Sequence, residues 1–156
     1  MRRSGAEIRT VGDIMSRNPI VLREDEDLHA AEQLMQQASV HHLPVVHQGR
    51  LVGLLSQMDF LAASVSCLAD ISLRERKEFL QSIPVVKIMR RQVVSAVPSL
   101  SLGEACSLMI DHVCDCLPIV ETGLLIGIIT RTDLLKLVAA LSVPRDRVRK
   151  ERKADE

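Results

Sequence analysis

The chain repeats itself. Sliding the 156-residue sequence by 74 positions lays one half on the other without a gap. Val11, Ile14 and Met15 fall on Val85, Ile88 and Met89, and Leu28, Ala31, Leu34 and Met35 fall on Leu102, Ala105, Leu108 and Met109. Leu43, Pro44 and Val46 fall on Leu117, Pro118 and Val120; Gly49, Gly53 and Asp59 fall on Gly123, Gly127 and Asp133. Shared apolar positions can arise by chance, but two glycines, a proline and an aspartate in one register are much harder to obtain that way. A repeat of this length is one supersecondary unit used twice.

Each copy has the same coarse plan. A short extended piece comes first, Ile20–Leu22 in copy one and Val93–Val97 in copy two. A helix follows. The acidic run Glu24–Asp27 suits the positive end of its dipole in copy one, and Ser101-Leu102-Gly103-Glu104 has capping-box spacing in copy two. Leu28, Ala31, Leu34, Met35 and Ala38 recur at helical spacing and mark one buried face. Two apolar, β-branched stretches then flank a turn at Gly49 or Gly123: Leu43–Val46 with Leu51–Leu55, and Leu117–Val120 with Leu124–Thr130. A second helix begins near Asp59 or Asp133. The fold class is therefore α/β (α+β): two β-α-β-β-α units related by a pseudo-two-fold and packed through their sheets, since one unit alone buries its sheet poorly. The boundaries are 8–64 for copy one, 65–83 for a helical connector opened by the capping box Ser72-Leu73-Arg74-Glu75, 84–140 for copy two and 141–156 for a charged tail.

Composition narrows the partners. The net charge is zero, with 20 basic and 20 acidic residues, which argues against nucleic acid or an anionic membrane surface. Two Phe and no Tyr or Trp leave almost no rings on which to stack a base, so a bound purine would sit between aliphatic side chains. The basic residues of the tail, from Arg145 to Lys153, alternate with acids and read as a solvated end. No apolar run reaches the roughly 20 residues of a membrane span, and no secretion signal follows Met1–Thr10. Four cysteines without such a signal suggest reduced thiols, hence a cytoplasmic location.

Two strings carry a family resemblance. Ile14-Met15, Asn18-Pro19-Ile20, Leu43-Pro44-Val45-Val46, Gly49 and Gly53-Leu54-Leu55-Ser56-Gln57-Met58-Asp59 resemble a CBS domain, named after cystathionine beta-synthase. Ile88-Met89, Leu117-Pro118-Ile119-Val120, Gly123 and Gly127-Ile128-Ile129-Thr130-Arg131-Thr132-Asp133 resemble a second. Pairs of this kind form a Bateman module. The resemblance implies a regulatory role through AMP, ADP, ATP (with or without Mg2+) or S-adenosylmethionine. It implies dimers of pairs and no required cofactor.

The key motif also has its own chemistry. Ser56 and Thr130 are good helix N-caps, and Asp59 and Asp133 lie three residues on, near the positive end of the dipole. One reading is a cap that only fixes the helix. The other, which the resemblance favours, is that each carboxylate also accepts hydrogen bonds from two ribose hydroxyls. By resemblance, Ile20, Val40, Val94 and Cys114 would line the purine pocket. The same implication makes His41 and His42 phosphate contacts; copy two has Asp115 and Cys116 there, and Arg131 stands where copy one has Gln57. A carboxylate at Asp115 repels phosphate, while Arg131 offers a guanidinium fork, so the two sites should not be equivalent. If the histidines hold phosphate, affinity rises as pH falls through their pKa values.

Other classes are weaker. Cys106, His112, Cys114 and Cys116 form a Cys/His cluster, but Cys-x-Cys is not the usual metal spacing. His29 and His47 read as exposed residues without a role. No nucleophile elbow, Walker loop or dinucleotide fingerprint is present, and the aspartates come one per copy, so no enzyme activity is expected. The sequence reads as a stand-alone module that binds an adenine nucleotide and signals to a separate effector protein or by oligomeric change. The alternatives are a docking or dimerisation module with degenerate pockets, or a metal- or redox-responsive one. A cyclic dinucleotide also stays open as the ligand.

Overall fold

The computed structural model describes residues 8–64 and 72–142. The tail beyond Ser142 and residues 65–71 of the connector lie outside the described residues. Helices α1 (Val11–Ile14), α2 (Leu28–Ala38), α3 (Gln57–Ser64), α4 (Leu73–Gln81), α5 (Leu102–Asp111) and α6 (Arg131–Ser142) alternate with six strands. The strands are β1 (Ser16–Arg17), β2 (Leu22–Arg23), β3 (His42–His47), β4 (Arg50–Ser56), β5 (Cys116–Glu121) and β6 (Leu124–Thr130).

Local chemistry accounts for most boundaries. Asp27 caps α2 by accepting the Ala30 N–H at 2.9 Å, and Ser72–Glu75 and Ser101–Glu104 form reciprocal capping boxes on α4 and α5. Helix α4 stops at Gln81 rather than running to Ile83, because Ser82 and Ile83 turn the chain into Pro84. The turn Gln48-Gly49 has φ of 49° and 78°, and Thr122-Gly123 has 50° and 83°. Positive φ at both central residues is the hairpin turn whose twist matches the flanking strands. The extended lead-ins are shorter than expected. Copy one forms only β2, paired in parallel with β3, and copy two forms a single bridge from Ala96 to Ile119.

The two lead-ins cross. Strand β1 opens copy one yet pairs with β6 of copy two, Ser16 opposite Ile128 and Arg17 opposite Gly127. Its counterpart, Arg90, lies at the start of copy two and bridges to Leu54 of copy one, with reciprocal N–H···O bonds of 2.9 Å. The sheets are β2-β3-β4 and β1-β6-β5. Apolar packing follows the same exchange. Val85 and Met89 are buried among Leu22, Leu28, Leu43, Leu55 and Leu80. Val11 and Met15 are buried among Ala105, Leu117, Ile119 and Ile129. A fully buried Val or Leu contributes about 1.5–3 kcal/mol, so each core draws part of its stability from the other copy's lead-in.

The repeated glycines are the contact points of this crossing. A Cβ on Gly53 would collide with the Met89 side chain and come within 3.1 Å of the Arg90 carbonyl oxygen. A Cβ on Gly127 would lie 2.6 Å from the Met15 sulfur and 3.0 Å from the Ser16 carbonyl oxygen. Strands β4 and β6 also pack on each other, and the hairpin ends meet where the Leu125 N–H donates to the Gly49 carbonyl at 3.0 Å. Gly53→Ala and Gly127→Ala are each expected to cost about 1–3 kcal/mol, the range for overpacking. Thermal unfolding followed by circular dichroism reads this as a drop in Tm; an unchanged Tm for both variants contradicts the close approach.

Candidate functional site

Each copy ends its hairpin in the same cap. In copy one, Ser56 Oγ donates to Asp59 Oδ2 at 2.5 Å and accepts the Asp59 N–H at 3.1 Å, while the Ser56 N–H donates to Oδ2 at 3.2 Å. In copy two the Thr130 hydroxyl and N–H each donate to Asp133 Oδ2 at 2.8 Å, and the hydroxyl accepts the Asp133 N–H at 3.3 Å. The capping interaction thus uses one carboxylate oxygen, Oδ2, in both copies. The helices start at Gln57 and Arg131, which puts both carboxylates in the first turn.

The other oxygen distinguishes the copies. Asp59 Oδ1 accepts from Arg90 Nε at 3.2 Å and Nη2 at 3.1 Å. The 74-residue offset places Ser16 where Arg90 stands, and among the described residues no cation pairs with Asp133. Burial pushes the Asp59 carboxyl up, but hydrogen bonds from Ser56 and Arg90 outweigh it and hold the group below the usual carboxylate value.

Two of the residues expected at the phosphate end, His41 and Arg131, sit beside these caps and are already paired. His41 Nδ1 hydrogen-bonds Gln57 Oε1 at 2.7 Å, and at the equivalent positions Arg131 Nη1 meets Asp115 Oδ1 at 2.8 Å. The Asp115 charge that would repel phosphate is therefore balanced by the guanidinium that would attract it. His42 is half-buried, and desolvation holds its pKa below 6.5 despite the nearby Asp115 and Asp59 carboxylates. His41, Asp59, Asp115 and Arg131 all act electrostatically on His42, so polar groups of both copies lie near it.

The proposed purine residues divide between the copies. Val40 packs against the first core, while Val94 and Cys114 pack together against the second. Ile20, the counterpart of Val94, is 42% exposed. Two cavities, of about 220 and 440 Å³, open at the turn ends of the hairpins rather than at the caps. Val93, Ser95 and Gly123 line one; Val21, Val46 and Gly49 line the other. The caps and the expected phosphate residues line neither.

Two histidines differ in their surroundings. His47 is exposed and pairs with Glu24 at 2.5 Å. His29, expected on the surface, is instead half-buried with Nδ1 out of solvent and unpartnered among the described residues, because the face of α2 that carries it turns partly inward. Among the described residues no three His, Cys, Asp or Glu are grouped to hold a metal. Cys116 is buried and its thiol is pushed up to about 12 by desolvation; Cys114 is shifted the same way. Such thiols stay protonated and are poor metal ligands or nucleophiles. Arg90 is the residue the motif reading missed. Its signal was available, since the lead-ins match at Ile14-Met15 and Ile88-Met89 and then diverge at Ser16 and Arg90.

Comparison with known proteins agrees with this geometry. The CBS domain family model matches twice, at residues 11–66 and 85–140. The CBS domain-containing protein YhcV of Bacillus subtilis is 32% identical over 126 residues, covering 80% of this chain and 82% of that protein. The solved CBS domain of a CBS domain-containing membrane protein from Sphaerobacter thermophilus superposes with a TM-score of 0.71 at 30% identity, over 82% of this chain and 86% of that one. The structure of CBSX2 in complex with AMP superposes with a TM-score of 0.72 at 27% identity, over 86% and 99% of the two chains. Among the described residues no helix is long and apolar enough to cross a membrane.

Arg90 tunes Asp59, and the sign is testable. A carboxyl with a lowered folded-state pKa adds stability above its unfolded pKa and loses it as pH falls through the folded value. Arg90→Ala should raise the Asp59 midpoint in a carboxyl-carbon NMR titration and lower stability at neutral pH, so that less of it is lost on acidification. An unmoved midpoint shows that the pair does not persist in solution.

Proposed function

The chain belongs to the CBS domain family as a tandem pair, and we propose that it is a regulatory module that binds an adenine nucleotide between its two copies. The observation that carries this reading is the Asp133 cap. One carboxylate oxygen is held by Thr130, the other has no side-chain partner among the described residues, and the lead-in of the opposite copy runs alongside. A carboxylate so placed can accept both ribose hydroxyls without losing the cap. CBSX2, which shares the fold at 27% identity, was solved with AMP.

In this reading Ser56, Asp59, Thr130 and Asp133 hold ribose, Ile20, Val40, Val94 and Cys114 flank the purine, and His41, His42 and Arg131 take phosphate. Arg131 must leave Asp115 to do so, and that exposed pair is worth less than about 1 kcal/mol. His42 contributes charge only below its lowered pKa, so its share of phosphate affinity grows as pH falls below 6.5. The ligand would bridge the lead-in of one copy and the helix start of the other, and so bias their relative placement. It shifts a partner's state only by its differential affinity for two arrangements. The site is for sensing in a cytoplasmic setting, with chemistry left to an effector protein.

A homodimer also has a specific observation in its favour. Helix α6 exposes Leu135, Val138 and Leu141 at 62%, 58% and 77%, and α3 exposes Leu61, the counterpart of Leu135. Apolar residues recurring along one helix suit a self-complementary contact.

Two measurements follow. A dye-based thermal-shift screen with AMP, ADP, ATP, S-adenosylmethionine and cyclic di-AMP, each with and without Mg2+, should show an adenine nucleotide raising Tm by several degrees. A ligand at about a hundred times its Kd adds about 2.7 kcal/mol. Asp59→Ala with Asp133→Ala should remove the shift; no shift with any ligand, together with no nucleotide released on acid extraction, favours the docking module. In sedimentation velocity the wild type should run as a dimer and Leu135→Asp as a monomer, whereas a monomeric wild type excludes the dimer.

A further inference from the structure

The pseudo-two-fold makes two junctions, which we call clefts, each setting the lead-in of one copy beside the strand that runs into the cap of the other. The backbones of the two clefts are equivalent: Ser16 stands opposite Ile128, and Arg90 opposite Leu54, the same register displaced by 74 residues. One side chain breaks the equivalence. Ser16 is short and neutral. Arg90 reaches the Asp59 carboxylate with two nitrogens, at 3.2 and 3.1 Å, on the oxygen that the Ser56 cap leaves available.

We propose that Arg90 closes the Asp59 cleft to nucleotide, so that the pair carries one working site, formed by Thr130 and Asp133 with the lead-in at Ser16. This inference rests on the adenine-nucleotide reading and assigns it to one cleft. Three observations support it. Ribose hydroxyls are donors, and so is a guanidinium; both need Asp59 Oδ1, and Arg90 is already there. The Arg90 backbone is fixed by two 2.9 Å hydrogen bonds to Leu54, so its side chain starts beside the cap. Asp59 is well covered, with its side chain 18% exposed, and Arg90 lies on its remaining oxygen.

Arg90 is itself 66% exposed. The closure is therefore a competition and not a seal. An ion pair of this exposure is worth at most about 1 kcal/mol, which converts to about fivefold in affinity. The volume of the displaced side chain adds to that difference.

Isothermal titration with AMP, ADP and ATP in turn tests the assignment on wild type, Arg90→Ser, Asp133→Asn and the double variant Arg90→Ser with Asp133→Asn. Circular dichroism melts confirm that each variant folds. The expected result is one tight equivalent per chain for wild type, loss of it in Asp133→Asn, a second equivalent of similar affinity in Arg90→Ser, and one restored equivalent in the double variant. Two equal sites in wild type, retention of the tight site in Asp133→Asn, or weaker binding in Arg90→Ser each overturn the closure while leaving nucleotide sensing intact. Absence of binding in both wild type and Arg90→Ser overturns the nucleotide reading and the closure together.

Discussion

The crossing of the lead-ins holds this molecule together. Each sheet is completed by a residue pair from outside its own copy, Ser16 with Ile128 and Arg90 with Leu54, and each core takes in a Val and a Met from the far side of the pseudo-two-fold. Gly53 and Gly127 permit it by leaving no Cβ where Met89 and Met15 must lie. A single copy would expose the groove that Val85 and Met89, or Val11 and Met15, fill. The pair is therefore the folding unit, and a change in the angle between copies strains both cores together. Any ligand lodged beside a lead-in acts on that shared linkage.

The 74-residue match made the secondary structure legible. The capping boxes at Ser72–Glu75 and Ser101–Glu104, the hairpin turns at Gly49 and Gly123 and the helical face of Leu28, Ala31 and Met35 all lie where local rules put them. The crossing was not legible, for a reason of symmetry. Val11 and Val85 occupy equivalent positions, so packing each in its own copy and exchanging the two leave the same periodicity and the same register. Only tertiary contact separates the two arrangements. The lead-in strands were overextended for a related reason: Val93–Val97 has β-branched composition, but only Ala96 finds a partner strand.

The candidate site was legible to a different depth at each position. Ser56, Asp59, Thr130 and Asp133 follow from cap spacing, and the structure brings each pair within hydrogen-bond distance. The expected contrast between the phosphate ends was read one residue at a time, as a repelling Asp115 and an attracting Arg131. These two lie sixteen positions apart in the turn-back of one hairpin, where Cys116 faces Thr130, and so they meet. The same geometry joins His41 to Gln57. Both copies thus place a pair across the base of the hairpin at the positions expected to take phosphate, ionic in one and neutral in the other. Arg90 escaped the motif reading because it belongs to the lead-in of copy two, whereas its partner, Asp59, belongs to copy one.

Two equal clefts would load a pseudo-symmetric pair from both sides and leave its two-fold largely intact. One open and one closed cleft load it from one side only. A ligand at Ser16 and Asp133 would then bridge one lead-in and cap, while the Arg90–Asp59 pair bridges the opposite ones. Both bridges join the same kinds of element, one from within the chain and the other from the ligand. Arg90 in this view occupies the place of a bound ligand permanently. Binding energy is then spent on a single coordinate, the placement of the β1 lead-in against β6 and α6. The response is graded by one equilibrium rather than two, and a partner that reads the α6 surface, where Leu135 and Val138 are exposed, would sense it directly.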